Sequence, residues 1–345
     1  MIKIILIIAV SINIFASNIT STLKNIKSIS TIDYIIKHNK KGNFNFIDYH
    51  NRFKYKTKRF RIYGNLGVIK YPNKRTKLKK LHNTIYFDYL YAMYNIYTKN
   101  YTRIYLVGGV IPMLGGNIEK YKNYDIPRGN GMGILGKYSC NGVMVMIANK
   151  NTKYKIGYGR YSKHDFGGNH YFLKDFYGSK GISFIYDLKH DTHNLEIDYY
   201  HFMVNYPRYN LVQEPLNLYG IGYIYDNSIK SDYAVYVTTG YSSILNKYGN
   251  IYKIGVKFYF DSCKLPIEYD LGLEYTYNTK NFYNLDNTLF KKYMVNMHGE
   301  LSEFMIYTDV IFNNKFYITP SFVYIDNKLL PGIKNIYSLK FRYKF

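Results

Sequence analysis

The sequence predicts an all-β chain, a transmembrane antiparallel β-barrel of about 16 strands, with about 14 or 18 as the alternative even counts. Three observations predict it. First, the last ten residues alternate strictly: Tyr337, Leu339, Phe341, Tyr343 and Phe345 share one face, and Ser338, Lys340, Arg342 and Lys344 share the other. A period of two with an oily face and a charged face describes a strand between hydrocarbon and water. Second, the segments between strand-like runs alternate short and long, the rhythm of periplasmic turns and outer loops. Third, the 345 residues include 44 Tyr and 21 Phe but no Trp. Aromatic girdles at two membrane interfaces use such a load better than a soluble core does.

Composition excludes several classes. An aromatic content of 19% is too apolar for a disordered chain. Two cysteines are too few for a disulfide scaffold or a multi-cysteine zinc module. The formal charge is +24, from 47 basic against 23 acidic residues. Lys, Asn, Ile, Tyr and Phe are abundant together, as A/T-rich coding produces, so part of that basicity is compositional. Export and the barrel rhythm argue against a nucleic-acid partner.

The elements follow in chain order. Met1 to Ala16 has one early Lys, an apolar stretch and small residues at its end, which reads as a secretory signal peptide. Removing it takes away Lys3 alone, so the charge becomes 24 − 1 = +23. No later run approaches the roughly 18 apolar residues of a spanning helix. Residues 17–42 form an N-terminal segment able to hold a first strand at 28–37, and 43–345 form the barrel. Further strands are expected at 43–55, 59–71, 82–98, 101–111, 142–149, 153–161, 179–189, 193–204 and 216–227. The remainder fall at 232–241, 250–260, 266–278, 297–311, 315–326 and 335–345. Short turns are expected at 56–58, 99–100, 150–152, 190–192, 228–231, 261–265 and 312–314. Long loops are expected at 72–81, 112–141, 162–178, 205–215, 242–249, 279–296 and 327–334, and both termini are then periplasmic.

Sorting each strand by its apolar face gives the expected lumen. The basic pore-lining set is Arg52, Lys54, Arg59, Arg61, Arg103, Lys153, Lys155, Lys253, Lys257, Lys340 and Arg342. The acidic set is Asp187, Glu196, Asp198, Glu268, Asp270 and Glu274. A charge turned to lipid near the midplane would cost about 2–4 kcal/mol, which forces central charges inward. Much of the basic set falls near the closing seam and much of the acidic set on the opposite strands, predicting two walls of opposite sign. Loop 112–141, the longest, carries Glu119, Asp125 and Arg128 and several glycines, and is the expected constriction.

Catalytic readings find little support. His164-Asp165 and His190-Asp191 fall at opposite ends of the predicted barrel. No compact Ser/His arrangement appears, with Asn169-His170 lacking a nearby Ser and His298 preceding Ser302 without a partner. Cys140 and Cys263 also fall at opposite ends, as two free thiols. No metal-ligand spacing is present, and neither a metal nor a cofactor is expected.

Several short stretches resemble an uncharacterised porin-like outer-membrane family of campylobacterial bacteria. They are Tyr63 to Tyr71, Val107 to Pro112 with Ile126 to Arg128, Asn217 to Gly222, Leu271 to Tyr275, and Lys334 to Tyr337. The resemblance covers roughly residues 43–345, departs at 17–42, where members often carry a coiled-coil segment and none is visible here, and implies a porin-like barrel with no assigned catalytic residues. The expected function is a non-enzymatic outer-membrane porin for small hydrophilic solutes or ions, with weak anion preference. A barrel hydrolase and a plugged barrel acting as an adhesin are the alternatives. Expected partners are outer-membrane lipid and lipopolysaccharide, the barrel-assembly machinery through Phe345, and small solutes or ions. A homotrimer is one oligomeric state open to it.

Overall fold

The computed structural model describes residues 26–39, 42–70, 84–114, 138–160, 179–206, 211–227, 233–261, 267–282, 300–313, 315–327 and 335–345. They form a closed barrel of 16 antiparallel strands, each hydrogen-bonded to its sequence neighbours. In order these are β1 Ile26–Asn39, β2 Gly42–Lys56, β3 Phe60–Lys70, β4 Thr84–Lys99, β5 Thr102–Leu114, β6 Tyr138–Ala148, β7 Thr152–Arg160 and β8 Lys180–His190. The second half comprises β9 His193–Tyr206, β10 Leu211–Asp226, β11 Tyr233–Ile244, β12 Lys247–Asp261, β13 Ile267–Asn278, β14 Leu301–Phe312, β15 Phe316–Asn327 and β16 Asn335–Lys344. Closure matters because hydrocarbon offers no partner to an unpaired strand edge.

The seam is β1 against β16, in register from Thr31 opposite Lys344 to Asn39 opposite Ile336. Two backbone bonds, Ser30 N to Phe345 O and Phe345 N to Ser30 O, both 3.0 Å, carry the ladder through the terminal residue. The alternating tail read from the sequence is therefore the strand that closes the cylinder.

The wall is apolar outside and mixed inside. Ile156 is 57% exposed on β7 and Ile254 is 52% exposed on β12, while Glu196 on β9 is 1% exposed. A soluble protein shows the reverse. Outward aromatics line up across strands: Tyr199, Tyr219, Tyr241 and Tyr248 succeed one another over β9 to β12, with ring centroids 4.9, 5.8 and 6.0 Å apart. An exterior this oily on a closed strand cylinder belongs in a bilayer, and the chain is an outer-membrane barrel.

Glycines face large rings across the ladder. Gly255 pairs with Tyr236 and Gly272 with Tyr307, and a Cβ on either glycine would come within 2.1 Å of the opposite ring. Gly109 is a different case, because its φ of 123° is open to glycine and strained for other residues.

One end of the barrel carries the short connections 57–59, 100–101, 149–151 and 191–192. The other carries 71–83, 115–137, 161–179 and 279–300. The long-loop end is assigned to the cell exterior, and Ile26, where β1 begins, and Phe345 to the periplasmic end.

The expected rhythm fails at two places. The loop expected at 242–249 is a two-residue turn, Leu245-Asn246, with φ of 50° and 56°. Ser242, buried on the inner face, and Ser243 both lie within β11 and continue the hairpin to this turn. The loop expected at 205–215 shrinks to 207–210, because β10 runs to Leu211 through Pro215. Proline is tolerated there because β10 pairs with β11 only from Asn217 onward, so its missing N–H breaks no bond on that side. The signal-peptide segment 1–16 lies outside the described residues, as do Cys263, His164, Asp165, His170 and His298.

Candidate functional site: the inward face of the barrel

Register fixes which residues share the inner face, since directly paired residues point the same way. Starting from Asp33 on β1, the inward set passes to Asp48 on β2 and Arg342 on β16. It continues through Arg52 to Asn65, Arg61 to Met93, Met93 to Val107, and Tyr105 to Met146. Lys153 pairs with Asp187, Asp187 with Glu196, and Asp198 with Gly220. Beyond that, Thr238 pairs with Lys253, Gly255 with Glu274, and Asp270 with Asp309.

Two tiers result. Toward the periplasm the inner face is charged. Arg52, Lys54, Arg59 and Arg103 are solvent-exposed there, Arg59 in the turn 57–59, and Glu268 and Lys153 are exposed as well. Lys54 lies 5.3 Å from the Tyr63 ring and Arg61 5.2 Å from the Tyr105 ring, both on the basic arc. Such cation–π contacts hold a guanidinium or ammonium in place without neutralising it. Toward the exterior the inner face is more apolar, although Ser242, Asn278 and Glu303 are buried within it. Tyr200, Phe202, Leu216, Leu218, Leu301 and Ile325 are buried to 1% exposure or less.

Most of the remaining charges are paired with neighbours rather than with the opposite wall. Arg342 makes a two-pronged contact with Asp33, Nε to Oδ1 at 2.7 Å and Nη2 to Oδ2 at 2.6 Å. Lys155 Nζ lies 3.0 Å from Asp187 Oδ2. Lys253 Nζ lies 3.3 Å from Glu274 Oε1, and Tyr236 donates its hydroxyl to Glu274 Oε2. Lys257 Nζ meets Asp270 Oδ2 at 2.7 Å and Asp309 Oδ2 at 3.9 Å, while Thr319 donates to Asp309 at 2.6 Å. Glu196 and Asp198 are buried beside the Lys155–Asp187 pair, and Lys340 is buried opposite Thr319. Beside the expected basic arc at the seam and the acidic strands β8 and β9, ion pairs between adjacent strands offset part of the charge. Four of the basic residues expected in the pore, Lys155, Lys253, Lys257 and Arg342, sit on carboxylates of adjacent strands.

Glu119, Asp125 and Arg128 of the expected constriction lie outside the described residues. His190 and Asp191 form a loose 3.6 Å pair in an exposed periplasmic turn. Asp33, Glu303 and Asp309 are inward residues that sequence reasoning missed. Asp33 stands between outward Ile32 and Tyr34, a signal available in the alternation. Glu303 and Asp309 were harder, because β14 is apolar on both faces, with Met305 and Tyr307 inward and Phe304 and Ile306 outward.

No protein-family model matches the chain, and no curated protein matches it. Solved structures do. OmpF of Salmonella typhi in complex with daunomycin superposes with a TM-score of 0.62 at 8% identity, over 93% of this chain and 97% of that one. A loop L8 deletion mutant of OmpT, an outer membrane protein of Vibrio cholerae, gives 0.56 at 11% identity over 93% and 99%. A mutant of the Rh. blastica porin gives 0.53 at 8% identity over 93% and 100%. At these identities the likeness establishes the fold: the chain is a porin-like outer-membrane barrel of 16 strands.

Proposed function

We propose that the barrel is a diffusion porin for small hydrophilic solutes or ions, with a weak preference for anions and no catalytic role. One observation carries this reading: Arg52, Lys54, Arg59 and Arg103 are charged, turned inward or set in the turn at the periplasmic mouth, and reached by water. An arc of fixed positive charge at a low-dielectric mouth concentrates anions. The paired charges Lys155, Lys253, Lys257 and Arg342 add little net field, so the preference is modest. Membership of the campylobacterial porin-like family, contact with lipopolysaccharide, handling by the assembly machinery through Phe345, and a trimeric state belong to the same proposal. Proteoliposome swelling tests it. Influx of neutral solutes that falls steeply with their size supports a pore, and no influx of any solute from correctly folded barrels opposes it.

A second reading has one observation in its favour. The inner-wall side chains Leu216, Leu218, Ile224 and Ile325 have no solvent exposure. A plugged barrel that presents its loops as an adhesin would bury them in this way. The swelling assay separates the two, because a plugged barrel passes nothing.

A further inference from the structure

The rim of the barrel has a step at β10 to β12. β10 is paired with β9 as far as Leu211, but with β11 only from Asn217. The tight Leu245-Asn246 turn ends the β11–β12 hairpin early, and the β10 edge stands above it. The step holds a pocket of about 300 Å³ lined by Glu214, Pro215, Ser243, Asn246 and Tyr248 among others. From the pocket's Ser243, on the lipid-facing side, runs a hydrogen-bonded polar row. His201 Nδ1 donates to Asn217 Oδ1 at 2.8 Å, and Asn217 Nδ2 donates to Ser243 Oγ at 3.3 Å. Directly toward the membrane lies the tyrosine row of Tyr199, Tyr219 and Tyr241, which ends on Tyr248.

We propose that this step binds a sugar of an outer-leaflet glycolipid. A sugar ring offers an apolar C–H face and hydroxyls that both donate and accept. Tyr248 is 59% exposed and nearly parallel to Tyr241, at 20°, so it presents a free ring face for stacking. Glu214 accepts hydroxyl protons, and the Asn246 amide both donates and accepts. Ser243 spends a lone pair on Asn217 and keeps its own proton to donate. The pocket suits a sugar better than a phosphate, because Glu214 is the charged side chain among its lining residues. The rim position selects the source: Ser243 and Tyr248 stand on the outward face above the row of tyrosines, where headgroups begin, while Glu214, in phase with inward Leu216 and Leu218, bounds the pocket from the lumen side. The inference rests on the lipopolysaccharide contact proposed above and gives it a place, while its test does not depend on whether the barrel conducts.

The test uses the full folded chain in detergent and native mass spectrometry. The probes are a rough lipopolysaccharide, the lipid-free core oligosaccharide released from it by mild acid, a malto-oligosaccharide and phosphatidylglycerol. The core oligosaccharide should bind one per barrel, and its occupancy should fall at least five-fold in Tyr248→Leu and in Ser243→Ala. Phosphatidylglycerol retention should not change. Glu214→Gln keeps side-chain volume and serves if another variant fails to show the folded-to-boiled gel shift. The assignment is overturned if the variants hold the oligosaccharide as well as the parent, or if intact lipopolysaccharide binds while the freed oligosaccharide does not. Equal binding of the malto-oligosaccharide would overturn the glycolipid as the source.

Discussion

Replacing Lys253 by Met should destabilise the barrel by about 3 kcal/mol, and replacing Glu274 by Gln should do so comparably. The two side chains are 1% and 2% exposed with their charged atoms 3.3 Å apart, so each charge compensates the other where water does not reach. Breaking a buried pair by removing one partner costs about 3–5 kcal/mol. The Lys253 change falls at the low end, since the Tyr236 hydroxyl still donates to Glu274. The double variant removes both charges, while the amide oxygen introduced by Glu274→Gln can still accept from Tyr236, so it should recover about 2 kcal/mol of the summed loss. Urea titration in detergent, read by the gel shift between folded and unfolded forms, gives all four stabilities of the cycle. Single losses below about 1 kcal/mol that simply add would match a water-bathed pair. They would refute the claim that this part of the inner wall is closed to solvent.

Other perturbations probe other parts of the barrel. Ile156→Arg places a charge on the lipid face and should cost about 2–4 kcal/mol in the same titration, whereas Lys153→Gln, an exposed inward position, should be nearly silent. Gly109→Ala should be more damaging than Gly108→Ala, because Gly109 has a φ of 123° and its Cβ would meet Leu90 O at 2.5 Å, while nothing lies within 4 Å at Gly108. Changing Arg59, Arg61 and Arg103 together to Gln should move the reversal potential in a KCl gradient toward cation preference, while Lys74→Gln with Arg75→Gln should matter much less. That shift should shrink at high salt, as the Debye length falls from about 10 Å at 0.1 M to about 3 Å at 1 M.

The fold was legible because the bilayer imposes a rule that acts residue by residue. Tyr252, Ile254, Val256 and Phe258 alternate with Lys253 and Lys257, and neither set tolerates exchange of environments. That local rule says nothing about which residue faces which across a ladder. Asp33 is more than 300 positions from Arg342, and their contact depends on the seam register alone. The same limit hid the pairing of Lys155 with Asp187 and of Lys257 with Asp309. Alternation also weakens where both faces are apolar. Leu216 and Leu218 point inward on β10 while Tyr219 and Ile221 point outward, so the apolar residues of the outer tier left no periodic trace. Ser242, Ser243 and Pro215 carry turn chemistry in most proteins, and here they lie in strands at the rim. The step they build, with its pocket, was therefore read as loop.

Single-channel recording in planar bilayers tests the central claim most directly. Protein whose gel shift shows it folded is added to one side of the membrane at moderate salt. An open pore gives stepwise, ohmic increases in current with a reversal potential displaced modestly toward chloride. Membranes that stay silent while the folded barrel is shown to have inserted, for instance by protease protection, would contradict diffusion through the lumen and leave the plugged barrel standing.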